Sequence, residues 1–68
     1  MRRNIQYSPM LKLKFFRIQK GLTIVELAKR TGLNYNTISQ YESGKHKPRI
    51  DNLQKIAEAL ECEVKDIV

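Results

Sequence analysis

Glycine stands at positions 21, 32 and 44, and a cap-forming side chain, Thr23 or Asn34, follows the first two after one intervening residue. A helix stop followed at once by a new helix start divides the chain into short helices and leaves little room for anything else. Ser8-Pro9 offers an N-cap and a proline at the first helical position, which predicts a first helix near residues 9–20 ending at Gly21. Thr23 and Glu26 have capping-box spacing, and the second helix stops at Gly32 after two to three turns. Asn34 caps a third helix running to about Ser43. Gly44-Lys45-His46-Lys47-Pro48 reads as a loop, because Pro48 biases Lys47 away from helical angles. Leu53, Ile56, Ala57 and Leu60 fall at i, i+3, i+4 and i+7, one face of a fourth helix, and Val64 and Ile67 suit a last turn or two. No run alternates apolar and polar residues for long enough to make a strand. The predicted class is all-α, with five short helices.

A chain of 68 residues, 41% of them apolar, can close one core and not two. The domain is therefore assigned to residues 8–68, with an N-terminal arm at residues 1–7. One small core also leaves no deep cleft between lobes. No Ser/His/Asp or Cys/His arrangement, phosphate-cradling glycine loop or pocketed carboxylate pair is evident, so no enzyme is expected. His46 has no Cys or His partners at ligand spacing, so neither a metal nor a cofactor is expected. Cys62 is the sole cysteine and has no internal disulfide partner. No stretch approaches the roughly 18–20 apolar residues of a membrane span. The start, MRRNIQYSPM, lacks a signal peptide's apolar centre. These features together predict a reduced, cytoplasmic compartment.

The charge is unevenly placed. Residues 1–49 hold eleven basic and two acidic side chains, a net of +9, while residues 50–68 hold two basic and five acidic ones, a net of −3. A basic body with an acidic end suits one face turned to a polyanion and one turned away. The bland alternative is a basic surface kept for solubility.

The middle of the chain favours the first reading. Leu27, Ala28, Leu33 and Ile38 can meet if the second and third helices cross steeply, and Gly32 permits the left-handed residue such a tight turn requires. That is helix-turn-helix geometry, which holds the second of the two helices out toward the DNA major groove. On the third helix Ile38 and Tyr41 face inward, leaving Tyr35, Asn36, Ser39 and Gln40 on or beside the outer face. Uncharged hydrogen-bonding side chains there differ from the Lys/Glu pairs of an ordinary solvated helix. Asn and Gln can bond adenine bidentately, at about 1–3 kcal/mol of discrimination per good pair. Lys45, His46, Lys47 and Arg49 follow immediately, where a backbone-gripping loop is useful. Thr23 and the free N–H groups opening the second helix can also hold a phosphate.

The segment GLTIVELAKRTGLNYNTISQYESGKHKPRIDNLQKIAEALECEVKDI resembles the Xre/Cro-like (lambda repressor-like) helix-turn-helix family. The likeness extends from about residue 10 to the C-terminus. The combined spacing of G-L-T, E-L-A, T-G-L, T-I-S-x-Y-E-x-G and K-P carries it. The resemblance implies a compact five-helix DNA-binding domain, a double-stranded DNA partner and a homodimer at least on DNA. It also implies a bacterial or phage-encoded, nucleoid-associated regulator. Tyr35 and Asn36 match the family's main base readers, and Thr37, Ser39 and Gln40 match further base or phosphate contacts. Ser43, Lys45, Lys47 and Arg49 match phosphate-contacting positions. Arg17 and Glu42 match a structural ion pair between the first and third helices. The chain departs from the family at Ile24, where many relatives have a hydrogen-bonding Gln, and at Glu61, where relatives often have a helix-ending Gly.

The first helix is more apolar than one buried stripe needs. Leu13 and Phe16 are expected in the core, while Leu11, Phe15 and Ile18 fall almost opposite. The arm, through Ile5 and Tyr7, can cover that patch; a partner chain or plain exposure are the alternatives. Arg2 and Arg3 can instead reach the DNA backbone or minor groove, or remain solvated. Cys62 is expected to pack as a small apolar residue between the last two helices, and Tyr41 to sit at the core edge rather than serve as a stacking platform.

Two functions follow. The first is a sequence-specific transcriptional regulator acting by operator occupancy, with repression expected because no segment is spare for recruiting polymerase. The second is a protein-interaction module, antitoxin-like or an adaptor, using the apolar patch on the first helix. RNA binding ranks behind both, since no aromatic stacking surface is evident. If the arm covers the patch, deleting residues 1–7 lowers the unfolding midpoint or changes the oligomeric state measured by light scattering; no change in either removes the covering role.

Overall fold

The computed structural model describes residues 8–68, which form five helices: α1 (Leu11–Gln19), α2 (Ile24–Thr31), α3 (Tyr35–Ser43), α4 (Ile50–Ala59) and α5 (Val64–Ile67). Strands are absent among the described residues. The arm and its Arg2, Arg3, Ile5 and Tyr7 lie outside the described residues.

Local hydrogen bonds set the limits of α2 and α3. Thr23 Oγ1 accepts the Glu26 N–H at 3.1 Å while the Glu26 carboxylate accepts the Thr23 N–H at 2.8 Å, a complete capping box. These bonds hold the Glu26 carboxyl below its ordinary pKa. Gly32 then takes φ 75°, and its N–H donates to the Ala28 carbonyl at 2.9 Å. Thr31 completes the turn: its hydroxyl donates to the Leu27 carbonyl and accepts the Leu33 N–H. Asn34 caps α3 by accepting the Asn36 N–H at 2.8 Å.

The start of α1 corrects the sequence expectation. Ser8 does not cap the helix and Pro9 is not its first residue; the helix opens at Leu11 after Met10, with no side-chain cap. Met10 is buried, and its N–H donates to the Tyr41 carbonyl of α3 at 3.2 Å. A tertiary bond thus ties down the chain two residues beyond the local signal.

Glu61, at a position where relatives often have a helix-ending glycine, adopts φ 57° despite its side chain. Lys20 at the end of α1 donates to the Glu61 carboxylate at 2.5 Å, which lowers that carboxyl's pKa. Cys62, partly buried, packs against the core between α4 and α5, and burial pushes its thiol pKa up. A raised thiol is a poor nucleophile, in keeping with a small apolar role.

Leu13, Leu27, Ile38, Ile56, Leu60 and Ile67 are fully buried, so every helix contributes to one core. Helix α1 packs on α3 and α5, α2 on α3 and α4, and α4 on α5. Leu11, Phe15 and Ile18 are 67%, 56% and 56% exposed, and no described residue covers them.

A buried ion pair crosses this packing. Arg17 Nε and Nη2 donate to the two carboxylate oxygens of Glu42 at 2.7 and 3.1 Å, and Nη1 donates to the Leu22 carbonyl at 2.8 Å. Both residues are buried, so each needs the other to offset its lost hydration. Glu42→Ala strands the guanidinium, with an expected loss of about 3–5 kcal/mol, comparable with the whole stability of so small a domain. Urea denaturation checks this, and Arg17→Met combined with Glu42→Leu should recover most of the loss.

The capping box yields a second prediction. Thr23→Ala should cost about 1 kcal/mol. Because the folded pKa of Glu26 is depressed, its contribution is complete above the unfolded carboxylate pKa and is lost as pH falls through the folded value. Thermal unfolding followed from neutral pH into the carboxylate range should show a shallower acid-side fall in Thr23→Ala than in the wild type.

Candidate nucleic-acid interface

Helix α3 buries Ile38, Tyr41 and Glu42, which directs its other side chains to the surface. Tyr35 and Asn36 are exposed at its N-terminal end, and Thr37, Ser39 and Gln40 are half-buried along its flanks. The Asn36 N–H is taken by the Asn34 cap, but its side-chain amide keeps both its donors and its acceptor for a ligand.

A concavity lies on each side of this helix. The first, about 570 Å³, is lined by Thr37, Gln40 and Tyr41 of α3, by Lys45, His46, Lys47 and Arg49 of the following loop, and by Asn52 of α4. The second, about 290 Å³, lies between α1 and α3 and is lined by Leu11, Lys14, Arg17, Ile24, Ser39, Glu42 and Ser43. Helix α3 is therefore a ridge with an open basic groove on one flank and a smaller groove carrying Lys14 on the other. A B-DNA major groove admits one α-helix between two phosphate walls, and a ridge between cation-bearing grooves has the complementary form.

The structure brings Thr37, Gln40, Lys45, Lys47 and Arg49 to one groove and Ser39 and Ser43 to the other. Tyr35, Asn36 and Thr23 line neither. Three of these residues carry internal bonds that shape what they offer. The Thr23 hydroxyl accepts the Glu26 N–H but keeps its own proton, and the adjacent Glu26 carboxylate weakens the site for an anion. The Arg49 guanidinium bonds Asp51 at 3.3 and 3.4 Å, an exposed pair too weak to hold it against a phosphate. The Ser43 hydroxyl donates to the Gln40 carbonyl at 3.3 Å. Ile24, which has no side-chain donor, is half-buried and packs against the core, so its groove takes its polar character from Lys14, Ser39 and Ser43.

Sequence reasoning missed Lys14 and Asn52 as groove residues and took Tyr41 as a core-edge side chain. Nothing in local spacing marks them, because Lys14 reaches its groove through the packing of α1 on α3, and Asn52 and the Tyr41 hydroxyl meet through a hydrogen bond eleven positions apart in the chain.

Comparison with known proteins agrees with this geometry. The family model described as Helix-turn-helix (HTH_3) matches residues 13–67. An uncharacterized HTH-type transcriptional regulator from Archaeoglobus fulgidus is 38% identical over 56 residues, covering 82% of this chain and 79% of the relative. One from Methanocaldococcus jannaschii is likewise 38% identical, covering 82% and 85%. Among solved structures, the restriction-modification controller protein C.AhdI from Aeromonas hydrophila superposes with a TM-score of 0.80 at 30% identity, covering 84% of this chain and 86% of that one. The clp gene regulator ClgR from Corynebacterium glutamicum gives 0.77 at 30% identity, covering 82% and 60%. The chain belongs to the Xre/Cro-like helix-turn-helix family, a family of DNA-binding transcriptional regulators and not of enzymes.

Proposed function

We propose that this protein is a sequence-specific regulator that binds double-stranded operator DNA as a homodimer in the cytoplasm and represses by occupancy. The observation that carries the proposal is the α3 ridge, with uncharged hydrogen-bonding side chains outward and cations in the grooves on both flanks. Tyr35, Asn36, Thr37, Ser39 and Gln40 are assigned to base edges. Thr23, Ser43, Lys45, Lys47 and Arg49 are assigned to phosphates, and Lys14 joins them from the second groove. Phosphate contacts supply affinity and register, and base contacts supply choice. A helix seated in the operator's major groove excludes any other protein from that groove, which is why occupancy alone represses. In a two-fold dimer the two α3 helices meet major grooves about one turn apart, roughly 34 Å, on a near-palindromic site.

A second reading has its own observation. The exposed Leu11, Phe15 and Ile18 suit a protein-interaction module of the antitoxin or adaptor kind. Salt separates the two, because each phosphate contact contributes roughly 0.9 to the log–log salt slope and an apolar contact contributes almost none.

Selection from a random DNA pool, repeated with Asn36→Ala, tests the proposal. The expected result is an enriched near-palindrome whose preference relaxes at particular positions in Asn36→Ala, by about 1–3 kcal/mol per base pair. Lys47→Ala should weaken binding at every sequence alike and reduce the salt slope by roughly one. A pool that shows no enrichment above salt-sensitive background removes the base-reading role.

A further inference from the structure

Tyr41 is the least expected member of the larger groove. Its ring is buried in the core, yet its hydroxyl accepts two hydrogen bonds from α4 and its N-cap residue: the Arg49 N–H at 3.3 Å and the Asn52 side-chain amide at 3.0 Å. Both neighbours line the groove, as Tyr41 itself does. A phenol oxygen that receives two donors still has one proton to give. Neither bond that the structure gives the Tyr41 hydroxyl uses that proton.

We propose that the Tyr41 hydroxyl donates this proton to one phosphodiester oxygen of bound DNA, with Arg49 and Asn52 holding it in position. The assignment rests on the DNA-binding reading above. Four features support it. A phosphodiester oxygen is purely an acceptor, which is what a hydroxyl already receiving two donors requires. Lys45, Lys47 and Arg49 line the same groove, so the ligand favoured there is an anion. Bonds received by the oxygen also polarise the O–H and strengthen the bond it makes. The buried ring gives up little freedom on binding, unlike the long side chains of the neighbouring lysines. Tyr41 thus works as a fixed neutral donor between mobile cations.

The neutrality of the phenol provides the test. Tyr41→Phe and wild type are titrated with the selected operator across a range of salt concentrations. They are then titrated with operators in which single phosphates are replaced by methylphosphonates. Hydrogen bonds to charged groups are worth about 1.5–3 kcal/mol, so Tyr41→Phe should bind roughly tenfold or more weakly at every salt concentration. The salt slope should be unchanged, because no charge is removed. Base preferences should also be unchanged. At one phosphate position, Tyr41→Phe should cost nothing further once the methylphosphonate is in place.

Additive losses at every phosphate overturn the assignment. So does a shallower salt slope, which marks a groove that has merely lost its shape. If Tyr41→Phe does not fold, the readout becomes the Tyr41 hydroxyl proton of the wild-type complex by NMR. A slowly exchanging resonance that appears only with DNA supports the donor role, and a proton still in fast exchange with water overturns it. Wild-type protein that binds no DNA at all removes the regulator reading itself, an outcome distinct from failure of the Tyr41 assignment alone.

Discussion

The placement of α3 depends on the buried pair between Arg17 and Glu42. A planar guanidinium meets a planar carboxylate through two parallel bonds, and its third arm reaches the Leu22 carbonyl in the turn before α2. One side chain therefore fixes α1, α3 and the entrance to α2 relative to each other. Apolar packing alone tolerates sliding of one helix along another, whereas a bidentate pair accepts a single register. The net stabilisation is modest because both ions lose hydration. What the pair contributes is geometry, and the groove carrying Lys14, Ser39 and Ser43 opens directly beside it.

In the proposed function, long cations and short neutral donors divide the work of the surface around α3. Cations on long stems at Lys14, Lys45 and Lys47 act at a distance and are screened by salt. In that reading, short neutral donors such as Tyr41 and Thr37 act only in contact and define position. Five of the seven acidic residues lie beyond residue 50, and of these Asp51 bonds Arg49 and moderates it. Of the exposed stripe Leu11, Phe15 and Ile18, Leu11 lines the smaller groove together with Ser39 and Ser43.

Much of the fold was legible in the chain because its signals are local. The Thr23–Glu26 box and the Asn34 cap join residues two or three apart, so composition and spacing reveal them. The inward face of α4 follows from helical periodicity, and the inward positions Ile38 and Tyr41 leave the polar face of α3 by subtraction. Asn36 and Gln40 stood out because uncharged amides on an exposed helix have no structural purpose of their own. Ser8-Pro9 misled for the opposite reason: a sound local start signal yielded to a bond between Met10 and Tyr41 that no local pattern contains.

The sequence by itself determined the number and order of helices, the turn at Gly32 and the chemical character of the outer face of α3. Each depends on backbone groups and side chains within about one helical turn of one another. Only the tertiary structure decided where α1 begins, that the Tyr41 hydroxyl meets Arg49 and Asn52, and that Lys14 shares a groove with Ser39 and Ser43. It also gave the Arg17–Glu42 pair its geometry, although family resemblance had already matched the two residues across 25 positions of chain. Those features join residues whose spacing carries no periodic or capping signal, and close packing around one small core brings them together.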